Sequence, residues 1–397
     1  MSAWPRVPLG DIFEIARGGS PRPIDDYITD ADDGVNWISI ADASDSAKYI
    51  ERTKRRIRPE GIARSRLVAP GDFLLTNSMS FGRPYIMRTS GCIHDGWLVL
   101  GKKRDGIDQD FFYRLLGSDT VYAAFSRLAA GATVKNLNID LVKGVEVPVP
   151  PFDEQRRIAA ILDQADALRA QRRRALAELD KLAQVVFVEM FGDTVTNSME
   201  WPFLPIGKLA DVQGGLQVTS ARKELPIEVP YLRVANVHRG YLLLDEIKTI
   251  RATAAEVART TLCHHDLLVV EGHGNPEEIG RAALWSGELR SCVHQNHLIR
   301  VRFDNSKVDP VYACTYMNST GGRRHLLRAS KTTSGLNTIS VSNVREAPVA
   351  LPPVELQKTF AARVGAIEAH KATRSAALAE SDALFTSLQH HAFSGAL

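Results

Sequence analysis

The stretch Val147-Pro148-Val149-Pro150-Pro151-Phe152-Asp153-Glu154-Gln155-Arg156-Arg157-Ile158-Ala159 decides the fold. Up to Pro151 it reads as the end of an extended region, because consecutive prolines cannot carry a strand ladder further. Beyond it, Glu154 to Met190 contains neither Pro nor Gly, and Asp153 or its neighbour is placed to cap a helix. Ile158, Ile161, Ala165, Leu168, Ala175, Leu179, Leu182 and Val186 recur at three- and four-residue steps, the seam of a coiled coil. Such a helix is roughly 50 Å long and needs a partner for its apolar stripe.

The chain supplies that partner. Val349-Ala350-Leu351-Pro352-Pro353 repeats the proline stop, and Phe360, Val364, Ile367, Leu378, Phe385 and Leu388 mark a second seam. Both seams are polar in the middle, at Arg172 in one and at Lys371 and Arg374 in the other. Working outward, the whole sequence is written twice. Trp4-Pro5-Arg6-Val7-Pro8-Leu9-Gly10 returns as Trp201-Pro202-Phe203-Leu204-Pro205-Ile206-Gly207, and Gly18-Gly19 as Gly214-Gly215. Trp37-Ile38-Ser39-Ile40-Ala41-Asp42 returns as Tyr231-Leu232-Arg233-Val234-Ala235-Asn236, and Asp72-Phe73-Leu74-Leu75 as Asp266-Leu267-Leu268-Val269. Gly82-Arg83 returns as Gly280-Arg281, Cys92-Ile93-His94 as Cys292-Val293-His294, and Ala175-Leu176-Ala177-Glu178 as Ala377-Leu378-Ala379-Glu380. Apolar strands and prolines persist, while Ser20 to Gly34 and Leu216 to Glu228 diverge. A shared frame with different loops suits two modules that do one task on two targets.

Each repeat begins with a mixed α/β part. Asn36-Trp37-Ile38-Ser39-Ile40 and Asp72-Phe73-Leu74-Leu75 read as strands, and Asp108 to Ser126 carries Phe112, Leu115, Leu116 and Tyr122 at helical spacing. The fold class is therefore α+β: two α/β domains separated by two long helices forming an antiparallel coiled coil, in a pseudo-twofold tandem repeat. The expected divisions are 1–151, 152–192, 193–353 and 354–397. A coiled coil between two copies of the chain is the structural alternative.

The 397 residues allow two ordinary cores, and with 44% hydrophobic and 24% charged residues a disordered chain is excluded. No apolar run reaches the roughly 20 residues that span a bilayer, and Met1 to Gly10 lacks the pattern of a signal peptide. The scattered thiols of Cys92, Cys263, Cys292 and Cys314 fit a reducing cytoplasm. A net charge of +3 points to nucleic acid only if the positive charge is local.

The ordered set resembles the specificity subunit of type I restriction–modification systems. It is carried by Leu9-Gly10-Asp11, Gly18-Gly19-Ser20-Pro21, Val147 to Ala159 and the closing Ala392-Phe393-Ser394-Gly395-Ala396-Leu397. The second copy departs from it, with Leu356-Gln357 in place of Glu-Gln. The resemblance implies that 1–151 and 193–353 are target-recognition domains, each reading half of a bipartite site on double-stranded DNA. It implies that the helices 152–192 and 354–397 are spacers docking two methyltransferase subunits, in a complex that restriction subunits can join.

An enzyme would show its machinery. Gly272-His273-Gly274-Asn275-Pro276 is the nearest imitation of an adenine-methyltransferase motif, but Glu277 and Glu278 stand where a Pro and an aromatic are needed. Glu246-Ile247-Lys248 lacks the upstream Asp of a nuclease, and Cys292-x-His294-x-x-His297 lacks a standard zinc spacing. The expectation is no catalytic site, no metal and no cofactor.

DNA-contact candidates are polar loop residues that can reach phosphates and base edges. In the first copy these are Ser20, Arg22, Asn77, Ser78, Arg83, Thr133, Lys135 and Asn136. In the second they are Gln217, Thr219, Arg233, Asn236, His273, Asn275, Arg281, Gln295, Asn296, Lys331, Thr332, Thr333 and Asn337. Lys54-Arg55-Arg56-x-Arg58, Arg172-Arg173-Arg174 and Arg323-Arg324 are basic clusters that could track the backbone, although Arg172 to Arg174 could equally be a solvated helix face. Two other functions fit parts of the pattern: a self-contained restriction–modification enzyme, against which the missing motifs count, and a coiled-coil scaffold, which would bind no DNA in a salt-dependent way.

Overall fold

The computed structural model describes residues 4–44, 48–77, 82–129, 137–333 and 336–397. The chain divides into one unit of Met1–Arg173 with Ala376–Leu397 and a second of Arg174–Ser375. Two long helices, Phe152–Phe191 and Val354–Ser394, each give one half to either unit.

The two units are built on one topology. In the first, the strands Phe13–Arg17, Trp97–Lys102, Phe73–Thr76 and Pro84–Met87 lie side by side in that order, with Tyr49–Ile50 at the edge. In the second, Ala210–Gly214, Leu298–Phe303, Leu267–Val270 and Ala282–Leu284 take the same order. A further sheet in each unit holds one parallel pair, Val35–Ile38 with Gly91–Ile93 and Ile227–Leu232 with Val293–His294. The run Trp97-Leu98-Val99-Leu100 is buried throughout, as expected of a strand covered on both faces. Gly82 and Gly280 stand at φ +78° and +68° in the same sharp turn, a left-handed backbone that favours glycine.

A pair of buried glutamines joins each module to its long helix. Gln155 Oε1 accepts from Asp108 N at 2.9 Å, and its amide donates to Pro150 O and Gly106 O. Gln357 Oε1 accepts from Asp309 N at 2.9 Å and its amide donates to Pro352 O. Asp108 and Asp309 in turn cap the following helices. The departure at Leu356 is thus harmless, because the glutamine makes the junction. Its counterpart Glu154 faces outward and pairs with Arg157.

Three local expectations are corrected. Asp108 to Ser126 is two helices, Gln109–Leu116 and Asp119–Ala129, broken at Gly117. Ile40 leaves the strand and opens the helix Ile40–Ser44. Asp153 is no cap: Phe152 already begins the helix, and Asp153 lies in the first turn, where its charge suits the helix dipole.

The helices run antiparallel within each unit. In the first, Arg157 donates to Leu397 O and Arg169 and Arg173 bind Asp382. In the second, the Phe187 and Phe360 rings lie 5.4 Å apart and Lys371 meets Asp180 at 2.9 Å. On the first helix Ile158, Leu162, Ala165, Arg169, Arg172, Leu176, Leu179, Ala183, Val186 and Met190 are buried or half-buried at an unbroken four–three spacing, and Ala159, Ile161, Ala175 and Phe187 beside them are covered as well. Leu168 and Leu182, read as seam residues, are exposed, and Leu162 is fully buried in their stead. Apolar identity places Leu168 and Leu182 in the seam, whereas the facing helix selects Arg169, which binds Asp382. All six apolar positions expected on the second helix are buried or half-buried.

Candidate nucleic-acid interface

In the first unit a surface cleft of about 270 Å³ is lined by Ser20, Pro21, Arg22, Ile24, Trp37, His94 and Asp95. Ser20 Oγ donates to Asp95 Oδ1 at 3.1 Å, and the exposed Arg22 lies 3.7 Å from Asp95 Oδ2. The loop holding Asp95 is fixed by its backbone. Trp97 N–H reaches His94 O, Asn77 N–H reaches Gly96 O, and Arg17 Nε–H reaches Asp95 O. His94 Nδ1 accepts the Gly96 N–H at 2.9 Å, so it carries no proton toward Asp95, and the 4.0 Å approach between the two is not an ion pair. Burial pushes the His94 pKa below its ordinary value, partly offset by Asp95.

The matching region of the second unit is found by hydrogen-bond register rather than residue identity. Lys102 pairs with Phe13, and Phe303 with Ala210. Gly19 N–H donates to Ile93 O, and Leu216 N–H to His294 O. Trp37 pairs with Cys92, and Tyr231 with Val293. By all three, Gly18 corresponds to Gly215, His94 to Gln295 and Asp95 to Asn296. The repeat read by identity, Cys92-Ile93-His94 with Cys292-Val293-His294, is one residue out. Gly18 and Gly215 hold equivalent close approaches, since a Cβ on Gly18 would lie 2.0 Å from His94 O and one on Gly215 2.4 Å from Gln295 O. His294, at the place of Ile93, is buried against Thr260 O, and burial lowers its pKa to about 4. It is a core residue, not a groove residue.

The structure gathers some candidates and disperses others. Ser20 and Arg22 line the first cleft, with Asn77 beneath it. Asn77 is buried, donates to Asp95 O at 3.4 Å, and its Oδ1 has no partner among the described residues. Arg83 is exposed. Ser78, Thr133, Lys135 and Asn136 lie outside the described residues. In the second unit, Gln217, Gln295 and Asn296 meet around the bridge from Leu216 to Gln295, and Thr219 is exposed nearby in sequence. His273, Lys331, Thr332, Thr333 and Asn337 come together on a three-stranded ribbon, with His273 and Thr332 both opposite Asn337. Asn275 caps the turn after this ribbon and donates to His273 Nδ1.

Asn236, Arg233 and Arg281 serve the frame. Buried Asn236 accepts from Arg233 N and donates to Leu243 O and Glu246 O. Arg281 is buried against Glu278 and Val234 O, and Arg233 pairs with Glu246. Arg323 is likewise held by Glu277, whereas Arg55 and Arg56 are exposed on their strand. Sequence reading missed Asp95, Trp37 and the Glu271–His297 pair at 3.0 Å. Asp95 adjoins a repeated motif, but only the strand register shows that it and Asn296 are equivalent. Among the described residues no group of three or more His, Cys, Asp or Glu could hold a metal ion, and no helix is long and apolar enough to cross a membrane.

Residues 1–179 match the family described as the type I restriction modification DNA specificity domain. Over those residues the chain is similar to the type I restriction–modification specificity subunits. It is 28% identical over 296 residues to the EcoKI specificity subunit of Escherichia coli K12, a match covering 68% of this chain and 62% of that protein. It is 26% identical over 260 residues to the StySPI specificity subunit of Salmonella potsdam, covering 62% and 56%. The chain thus spans about six tenths of the length of these two relatives. With the MjaIX specificity subunit of Methanocaldococcus jannaschii it shares 22% identity over 378 residues, 90% of this chain and 85% of that one. The fold is that of a chain solved in a study of complex assembly and conformational transition of the type I R-M system, with TM-score 0.66, 17% identity, and 99% and 98% of the two chains covered. A type I S subunit from M. genitalium gives TM-score 0.50 at 14% identity, with 99% and 96% covered.

Proposed function

We propose that the chain is a DNA-reading adaptor that recognises a bipartite target through two modules, 1–151 and 193–353, and directs partner methyltransferase subunits to it. It acts without a catalytic site of its own. The helices 152–192 and 354–397 serve as the spacer and the docking surface for two such subunits, in a cytoplasmic complex that a restriction subunit can join. The observation that carries this reading is one frame built twice with different side chains at corresponding groove positions: Ser20, His94 and Asp95 in one, Gln217, Gln295 and Asn296 in the other. A frame repeated for stability alone has no need to vary there. The test replaces Ser20–Gly34 by Gln217–Glu228 and maps methylated adenines in cells that also make the methyltransferase subunits. One half of the methylated motif should change and the other should stay. Change in both halves, or methyl transfer by the purified chain alone with S-adenosylmethionine, would contradict the proposal.

A further inference from the structure

We propose that Asp95 and Asn296 occupy one and the same base-reading position in the two modules, and that Asp95 specifies a base that offers an exocyclic amine. The inference rests on the DNA-reading function proposed above and deepens it by naming the residue that sets specificity.

The Asp95 carboxylate is not needed to hold its own loop. Its loop is already closed by the backbone bonds of His94, Gly96 and Trp97, and the Arg17 guanidinium binds the Asp95 carbonyl, not its carboxylate. The carboxylate is half-exposed at the cleft, steadied by Ser20 on Oδ1 and approached by Arg22 near Oδ2. A carboxylate beside DNA phosphates is repelled unless it meets a donor. Being an acceptor only, it complements the N4 amine of cytosine in the major groove, and discriminates against guanine and thymine edges that present O6 or O4 there.

The second module sharpens the point. The loop of Asn296 keeps the two backbone bonds that close the loop of Asp95, with Leu298 N–H on Gln295 O where Trp97 N–H meets His94 O, and Glu271 N–H on His297 O where Asn77 N–H meets Gly96 O. The Asn296 side-chain amide carries both a donor and an acceptor, the combination that pairs bidentately with N6 and N7 of adenine. The loop geometry is thus kept and the chemistry at its tip is exchanged. Replacing an acceptor by an acceptor–donor pair changes the base sought without moving the chain.

The experiment makes D95N and N296D, each with the methyltransferase subunits, in a host without other adenine methylation, and reads the methylated motif. D95N should change the preference at one position of one half-site by about tenfold, and N296D at one position of the other. An active D95N complex with an unchanged motif overturns the assignment, as does a D95N effect that S20A reproduces at every position, since both would then act on loop structure. If D95N leaves no methylation, the purified complex is titrated against duplexes carrying each base in turn. Weakening confined to one position supports the assignment; weakening spread over all positions overturns it. A wild-type complex that yields no bipartite motif overturns the function on which the inference rests, a result distinct from an unchanged motif.

Discussion

The two modules meet their long helices through the same frame but with different chemistry. In the first unit, charge runs in a chain from module to helix: Lys48 binds Asp110 and Asp163, Arg114 binds Asp163 and Asp166, and Arg169 binds Asp166 and Asp382. Burial lowers the Lys48 pKa, but Asp110 and Asp163 outweigh it and hold the amine above its ordinary value. In the second unit, the pseudo-twofold mates of the last three are Lys371, Glu368 and Asp180, and their bonds are kept. The first part of the chain is gone. Thr315 stands for Arg114 and bonds Val311 O within its own helix, and Gly365 stands for Asp163 with open space around it. The polar middle of both seams thus holds a symmetric pair of ion bridges, while among the described residues the module-to-helix ion pairs are found in the first unit. A partly buried ion pair is weak evidence for stability, because desolvation offsets much of the attraction between the charges.

The comparison can be broken first at the shared junction. Gln155→Ala and Gln357→Ala each leave a buried helix-cap N–H and proline carbonyl unpaired, and each should cost its own unit about 3–4 kcal/mol. Amide hydrogen exchange resolved by unit checks this. A large loss from one substitution and none from the other would show that the junctions are not equivalent.

The next effect separates the units by pH. His294 has a folded-state pKa lowered to about 4 by burial, so it binds its proton more readily when unfolded. Its neutral form is favoured in the fold. Stability is then fully present above the ordinary value near 6.5 and is lost as pH falls from there toward 4, by up to roughly 3 kcal/mol. The first unit has Ile93 at this place; its His94, also lowered by burial but partly offset by Asp95, contributes in the same direction with a smaller shift. Exchange protection of the second unit should fall through this window, and His294→Leu should remove the slope while lowering stability at neutral pH through the unpaired Thr260 carbonyl. A wild-type slope retained in His294→Leu would place the titration elsewhere.

The smallest effect concerns salt. Arg114→Thr makes the first junction like the second and should cost about 1–2 kcal/mol at low ionic strength, because its carboxylate partners are partly solvated. The cost should shrink in high salt. Denaturation of the variant and the wild type at two salt concentrations measures it; a cost independent of salt would mean that packing by the arginine stem, not its charge, joins module and helix.

Much of this architecture was legible because it is periodic. The absence of Pro and Gly after Phe152, the recurrence of Pro-Pro before each long helix and the ordered repeat of apolar runs each reflect backbone rules that act within a few residues or at a fixed spacing. The strands at Asp72 to Leu75 and the seam at Phe360, Val364, Ile367 and Phe385 followed from them. What tertiary structure alone decided was phase and register. Identity paired His94 with His294, but strand pairing is set by backbone hydrogen bonds, which a one-residue shift in a loop displaces without altering the motif. The same holds for Leu168 and Leu182, which lost the seam to Leu162 and Arg169 because the facing helix fixes the rotation of a 40-residue helix. Asn236 and Arg281 look like loop contacts in a sequence. The fold instead surrounds them with carbonyls and a carboxylate, and a buried polar side chain keeps its partners because losing them costs more than any single surface contact returns.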